Sequence, residues 1–219
     1  MRPREHYLQQ LEALHTELRA LGQVVTVAIT QAIEALTQQD VEAAGRVVAD
    51  DQRIDKAQYA LEERVLGVMA TQQPTAGDLR RLVATIEIAS ELERIGDYAK
   101  GIAMITIRTT QQPHVQPFMN IPRMAEQAIA MLGTVLDAFV REDVEAARQL
   151  TEAEDEVDLL SERIQFELVD LMQRDSKTVA QGADLLVVVH NLERIADRTT
   201  NIAERVIFMV KGEIVELNP

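Results

Sequence analysis

Apolar side chains recur every three or four residues along most of this chain, which is the spacing of one face of an α-helix. The first run covers residues 5–37. The second follows Asp40, a residue type that favours helix N-termini, and it stops at Gln73-Pro74 because proline cannot continue a helix. The third ends near Thr109, before the two prolines of residues 113–117. The pattern predicts three long helices in the first half of the chain.

The second half of the chain repeats the first. Residues 143–147 copy residues 40–44 (Asp-Val-Glu-Ala-Ala) at an offset of 103 positions. The apolar stripe of the following helix keeps this offset, and the stripe of the last helix matches at an offset of 100. Such a repeat indicates one structural unit used twice, and short connections make neighbouring helices antiparallel.

We therefore predict an all-α fold of two tandem, pseudo-symmetric three-helix bundles, with six long antiparallel helices. The first bundle is assigned to residues 1–112 and the second to residues 118–219, with residues 113–117 as the connection. Composition agrees with this prediction. Of the 219 residues, 47% are hydrophobic but only 3% are aromatic, which suits packed helices better than a β-sandwich.

Charge and residue content argue against several classes of function. The formal charge of −14 disfavours binding to nucleic acid or to an anionic membrane, because both require clustered Lys and Arg. With no cysteine there are no disulfides and no thiolate chemistry. The longest aliphatic run, Leu185 to Val189, is far shorter than the ~18 residues that span a bilayer, and the N-terminus lacks the apolar core of a signal peptide. We therefore expect a cytoplasmic protein that is not an integral membrane protein.

Carboxylates spaced four residues apart are the most informative chemical feature of the chain. Glu93/Asp97 and Glu193/Asp197 lie in two matching Glu-Arg-Ile-x-Asp stretches, 100 residues apart. Four residues is about one helical turn, so both members of each pair point from the same face. Like charges at that spacing weaken a helix, and a cation placed between them removes the repulsion.

Two further pairs with the same spacing, Asp51/Asp55 and Glu154/Asp158, lie on the preceding helix of each bundle. Asp51 and Glu154 occupy stripe positions where a core residue is expected, and an unpaired charge is costly there. Antiparallel packing of the two helices can bring four carboxylates together in each bundle. The candidate metal ligands are Asp51, Asp55, Glu93, Asp97, Glu154, Asp158, Glu193 and Asp197.

Four converging carboxylates form a hard, all-oxygen site. Such ligands suit Mg²⁺, Ca²⁺ or Mn²⁺, or iron in an oxygen-bridged cluster, better than they suit zinc with sulfur ligands. We expect divalent or trivalent metal ions at both clusters, with Mn, Mg, Fe and Zn left open. Two alternatives also stay open. In the first, the acids are solvated charges on helix faces. In the second, Arg94 and Arg194 neutralise them, although each arginine is expected to point elsewhere.

Little in the chain supports catalysis. There is no phosphate-binding glycine loop and no Ser/His/Asp or Cys/His grouping. Glu12-x-x-His15 is the only Glu-x-x-His element, whereas ferritin-like di-iron bundles use two. His190, one turn before Glu193, is a weaker candidate ligand because its counterpart in the repeat is Ser90. We predict a protein that is not an enzyme, with no catalytic residues and no cofactor-binding residues apart from the metal ligands.

Several elements form a specific set: Asp51-x-x-Ile54-Asp55, Gln73-Pro74-x-Ala76-x-Asp78-Leu79-Arg80, the two Glu-Arg-Ile-x-Asp stretches, and Asn201-Ile202-Ala203-Glu204. Together with the six-helix repeat they resemble the PhoU family of phosphate-signalling regulators over nearly the whole chain. The resemblance implies two three-helix bundles with metal clusters on the acidic motifs. It also implies a cytoplasmic negative regulator of phosphate uptake and of the phosphate-starvation response.

The second half departs from the family pattern. It has Asp175-Ser176-Lys177-Thr178 in place of Gln-Pro, and Ala196 in place of Gly96, which puts its metal occupancy in more doubt than that of the first half.

The resemblance implies partners as well. It places the protein between the ATPase subunit of the high-affinity phosphate transporter and the membrane-bound phosphate sensor histidine kinase. We also expect a homodimer and no nucleic-acid partner. Two other functions are compatible with the residues: a carboxylate-bridged metalloenzyme of the helical-bundle type, and a metal-free helical adaptor.

Overall fold

The computed structural model describes residues 3–109 and 120–218, and these residues form long helices with no β-strand. The helices are α1 (Pro3–Gln38), α2 (Val41–Gln72), α3 (Ala76–Thr109), α4 (Ile121–Arg141), α5 (Val144–Arg148), α6 (Leu150–Arg174) and α7 (Val179–Lys211), with a 3₁₀ turn at Ser176–Thr178. The predicted all-α fold is confirmed. The connection predicted at residues 113–117 lies outside the described residues, and the boundaries of the two bundles stay a prediction.

The internal repeat extends to individual hydrogen bonds. After α1, Gln39 adopts a left-handed conformation with φ of 53°, and the N–H of Asp40 donates to the carbonyl five residues earlier at 2.9 Å. After α4, Glu142 (φ 55°) and Asp143 form the same bond, also at 2.9 Å. This arrangement satisfies carbonyls that a helix end leaves unpaired. Both aspartates then cap the next helix, because each side chain accepts from the N–H three residues further on.

The predicted stripes are the buried faces of the helices. The buried residues of α2 are Ala44, Val47, Asp51, Ile54, Gln58, Leu61, Val65 and Val68, and those of α6 are Leu150, Glu154, Val157, Ser161, Ile164 and Leu168. Asp51 is only 6% exposed and Glu154 only 3% exposed, so each bundle carries a carboxylate within an apolar stripe. One detail differs from the prediction. A break at Gln149 divides the expected fifth helix into the short α5 and the long α6.

The two bundles pack against each other through α3 and α7, which make the most extensive helix–helix contact among the described residues. A second contact joins α1 to α4. Arginines of α7 pair with acids of α3 across the boundary. Arg198 Nη1 lies 3.3 Å from Glu91 Oε2, and Arg205 Nη1 lies 3.4 Å from Glu87 Oε2. Since α3 and α7 carry the Glu-Arg-Ile-x-Asp stretches, this boundary positions both candidate sites.

α1 is the one described helix that is long and apolar enough to cross a membrane. Core helices of soluble proteins meet the same criteria. Leu18, Val25 and Ile29 of α1 are completely buried, and the helix contacts α2, α3 and α4. We therefore interpret α1 as a core helix of the bundle.

Close packing of α3 on α2 depends on Gly96. A methyl group at this position would lie 2.9 Å from Cδ1 and 3.2 Å from Cγ2 of Ile54. The equivalent residues of the second bundle are Ala196 and Val157. The methyl group that alanine adds offsets the methylene that valine lacks, and cores tolerate exchanges that conserve volume. The departure at Ala196 therefore requires no wider separation of α6 from α7.

We expect Gly96→Ala and Ile54→Val to be energetically coupled. In the Ile54→Val background the contact at 2.9 Å is absent and only the contact with Cγ2 at 3.2 Å remains, so alanine keeps more of its helix-propensity gain of about 0.8–1 kcal/mol. In the wild-type background, overpacking of about 1–3 kcal/mol cancels or exceeds that gain. Urea unfolding of the four proteins of this cycle measures the coupling. Gly67→Ala is the control, since nothing lies within 4 Å of a methyl group there. Additive effects in the cycle, within about 0.5 kcal/mol, would contradict the packing argument.

Candidate metal centre

Glu154 and Asp158 of α6 meet Asp197 of α7. Each side chain offers a carboxylate oxygen, and the three oxygens lie within 4.8 Å of one another. Among the residues that the structure describes, this is the only group of three or more acidic or histidine side chains with such spacing. We call these three residues the α6–α7 cluster. Glu193, the fourth acid predicted for this site, accepts a hydrogen bond from the Ser161 hydroxyl at 2.9 Å.

Burial and mutual repulsion make the α6–α7 cluster costly to ionise. Burial, together with the charges of Asp158 and Asp197, raises the pKa of Glu154 to about 7. Burial and the charge of Glu193 raise the pKa of Asp158. Burial also raises the pKa of Asp197, although the nearby guanidinium of Arg194 opposes this shift. In addition, Asp158 Oδ1 is buried without a hydrogen-bond partner. A cation bound by the three carboxylates would relieve the repulsion and satisfy that oxygen, so the residues present fit a hard metal ion.

Two side chains outside the predicted set contact the cluster. Arg194 Nη1 donates to Asp197 Oδ2 at 2.5 Å, so the expectation that this arginine points elsewhere is wrong. Residues three apart are neighbours on a helix surface, which explains the contact. Arg94, as expected, points away from the predicted ligands and donates to Glu91 at 2.9 Å. Asn218, near the C-terminus, donates its side-chain amide to Glu154 Oε1 at 2.5 Å.

In the first bundle a lysine lies among the predicted ligands. Lys100 Nζ is 2.6 Å from Asp51 Oδ2 and 3.4 Å from Asp97 Oδ1. The hydrogen bond to Asp51 raises the pKa of Lys100, so its ammonium group stays charged. Asp55 and Glu93 are half-buried, and burial together with the charge of Asp97 raises the pKa of Glu93. The four acids of this bundle are therefore close enough to interact, but they share a cation that belongs to the protein.

One substitution within the repeat accounts for this difference between the bundles. The position equivalent to Lys100 is Thr200, a neutral residue whose hydroxyl donates to the Ala196 carbonyl at 3.4 Å. The sequence alone could have predicted that Lys100 lies near the acids, because a residue three positions after Asp97 lies on the same helix face. The departures from the family pattern raised doubt about the second bundle. Within the described part of the chain, however, the second bundle holds the closer carboxylate group.

Neither of the two histidines considered as ligands belongs to the α6–α7 cluster. His190 is exposed and is not part of that group. His15 packs edge-on against Phe139, with ring centroids 4.9 Å apart, and burial lowers the pKa of His15. His15 thus belongs to the packing between α1 and α4, and neither histidine adds a nitrogen ligand to the carboxylates.

The fold and the site define a class of protein: two similar helical bundles, each with acidic side chains where its long second helix meets its last. A model of the PhoU domain matches residues 18–106 and 121–206 of the chain. The PhoU homolog of Clostridium acetobutylicum, a phosphate-specific transport system accessory protein by name, is 36% identical over 216 residues, which cover 98% of this chain and 99% of the relative. The accessory protein PhoU of Escherichia coli (strain K12) is 33% identical over 204 residues, covering 93% of this chain and 85% of the relative.

Solved structures agree with this relationship. The phosphate transport system regulatory protein PhoU from Streptococcus pneumoniae matches with a TM-score of 0.90 at 27% identity, covering 96% of this chain and 99% of that one. PhoU from Pseudomonas aeruginosa matches with a TM-score of 0.89 at 29% identity, covering 94% and 100%. The chain belongs to the PhoU family, as its motifs predicted. The relatives from Clostridium acetobutylicum, Escherichia coli and Streptococcus pneumoniae are named as accessory or regulatory proteins of phosphate transport, not as enzymes.

The raised pKa of Glu154 predicts how stability depends on pH without divalent ions. A carboxyl group whose pKa is higher in the folded state stabilises the fold fully below its unfolded pKa, near 4.5, and loses that contribution as pH rises to about 7. We expect Glu154→Gln to remove this part of the pH dependence, on the order of 3 kcal/mol at most. The measurement is the difference in free energy of unfolding between wild type and variant from pH 4 to pH 8. Glu152→Gln, an exposed acid two residues away, is the control. A difference that stays constant across this range would refute the prediction.

Proposed function

We propose that this protein is a cytoplasmic, non-enzymatic regulator that restrains phosphate uptake and the phosphate-starvation response. The observation that carries the proposal is the match over 99% of a relative named as a phosphate-specific transport system accessory protein. Its proposed partners are the ATPase subunit of the phosphate transporter and the membrane-bound sensor histidine kinase. The net charge of −14 favours partner surfaces rich in Lys and Arg. We also propose that the protein acts as a homodimer.

We further propose that the α6–α7 cluster binds a divalent or trivalent metal ion, with Mn, Mg, Fe and Zn as candidates. The three oxygens within 4.8 Å of one another and the unpaired oxygen of Asp158 support this site. A bound ion would join α6 to α7 and remove the repulsion among the carboxylates. We assign a weaker site to the acids of the first bundle, Asp51, Asp55, Glu93 and Asp97, because the ammonium of Lys100 competes with the ion for two of them.

Metal content per chain tests both sites. We expect Asp197→Asn to lower the Mn²⁺ content of purified, Mn²⁺-equilibrated protein by about one ion per chain, since it removes a ligand of the stronger site. Lys100→Thr, which copies the residue at position 200, is expected to raise the content, because it leaves the acids of the first bundle without their own cation. Lys177→Thr removes the same charge from an exposed turn and should change nothing. Equal metal content in wild type and Asp197→Asn would rule out the α6–α7 site.

Gene deletion tests the regulatory proposal independently of the metal. We expect a strain that lacks this protein to express phosphate-starvation genes at a high level even when phosphate is plentiful. Transcript levels of those genes, with the wild-type chain restored as a control, provide the measurement. Normal repression in the deletion strain would contradict the proposal. Complementation with Asp197→Asn then shows whether metal binding contributes to repression, because this near-isosteric change leaves the rest of the chain intact.

A further inference from the structure

The C-terminal tail, residues 212–218, folds back along α7 to the α6–α7 cluster. α7 ends at Lys211, and the positive φ of 75° at Gly212, the next residue, allows the chain to reverse. Val215 and Leu217 then pack against the core, whereas Ile214 between the turn and these residues is 83% exposed. The backbone N–H of Leu217 donates to Glu204 Oε1 at 2.9 Å. The tail is therefore held against the last helix and ends at the carboxylates.

At the end of the tail, the amide nitrogen of Asn218 donates to Oε1 of the buried Glu154. The equivalent acid of the first bundle, Asp51, accepts from Lys100 Nζ at 2.6 Å. The two bundles thus pair equivalent carboxylates with different donors. These donors differ in one chemical respect that matters for metal binding. An ammonium group has donors only, whereas an amide has an acceptor oxygen beside its donor nitrogen.

We propose that Asn218 is an additional ligand of a metal ion in the α6–α7 cluster, and that metal binding thereby fastens the C-terminal tail over the site. This inference rests on the metal site proposed above. Rotation of the terminal amide exchanges Nδ2 for Oδ1 without movement of the backbone. A cation on the carboxylates repels the N–H group and attracts the carbonyl oxygen, and asparagine oxygens are ordinary ligands of hard cations. Asn218 also adds a ligand oxygen without adding negative charge to a group of acids that already repel one another.

The tail is well suited to respond to the metal. Only Val215 and Leu217 of the tail pack inward, so the tail opens at a lower free-energy cost than the helices do. Metal binding and tail closure are then linked equilibria. If closure of the tail raises the metal affinity by some factor, metal binding raises the equilibrium constant for tail closure by the same factor. The first bundle lacks this property, because Lys100 cannot become a ligand.

Release of the tail by trypsin measures closure directly. Lys211 is exposed at the end of α7, and cleavage after it frees residues 212–219, which mass spectrometry quantifies. We expect Mn²⁺ to slow this cleavage about tenfold in the wild-type protein, the effect of one supporting metal contact. In Asn218→Ala the rate should no longer depend on Mn²⁺. Ile214→Ala, a change at an exposed tail residue, should behave as wild type does.

Calorimetric titration with Mn²⁺ completes the test. We expect Asn218→Ala to bind Mn²⁺ about tenfold more weakly than wild type, and Asn218→Asp to bind at least as tightly because it keeps an oxygen. If wild type binds Mn²⁺ but Asn218→Ala binds it equally or more tightly, with cleavage after Lys211 indifferent to Mn²⁺, the role of Asn218 is overturned and the metal site stands. If wild type binds no Mn²⁺ at all, the metal site and the role of Asn218 both fall.

Discussion

An ionised carboxylate inside an apolar helix stripe needs positive charge or several hydrogen-bond donors, because the protein interior solvates charge poorly. Asp51 and Glu154 create this requirement at equivalent positions of the two bundles. The first bundle meets it with the ammonium of Lys100. In the second bundle the compensation is only partial: Asn218 donates one hydrogen bond to Glu154, and Arg194 donates one to Asp197. The same repeated pattern of acids thus leads to two electrostatically different sites.

The boundary between the bundles ties these sites together. Arg194 pairs with Asp197 and also contacts Tyr98 of α3, the residue that follows Asp97. Although burial opposes it, hydrogen bonds from Arg194 and Arg198 lower the pKa of Tyr98. The α3–α7 contact therefore combines a packed apolar core with a network of hydrogen bonds and ion pairs. This network lies next to the acids of both bundles. Each half depends on the other to cover this face, even though each half repeats the same three-helix plan.

Much of the fold followed from local sequence patterns. The helices, their stripes and the turn before each second helix depend on residues close together in the chain, so periodicity and capping residues were enough to predict them. The offset of 103 recurs in the hydrogen bonds after α1 and α4, because the same short-range geometry is built twice. Even the burial of Asp51 and Glu154 could be predicted, since both lie in register with apolar neighbours on their own helix.

Which acids meet was decided by the tertiary structure. A stripe predicts the face on which a side chain lies, but the distance between atoms on two helices depends on how those helices pack and on where each side chain finds a partner. Glu193 lay on the expected face yet bonds to Ser161 of α6, and Asp51 of α2 bonds to Lys100 of α3. Asn218 reaches Glu154 across 64 residues of sequence, through a turn at Gly212 and a tail held by two apolar side chains. No periodic pattern encodes such a contact, because it exists only after the helices have assembled a surface for the tail to lie on.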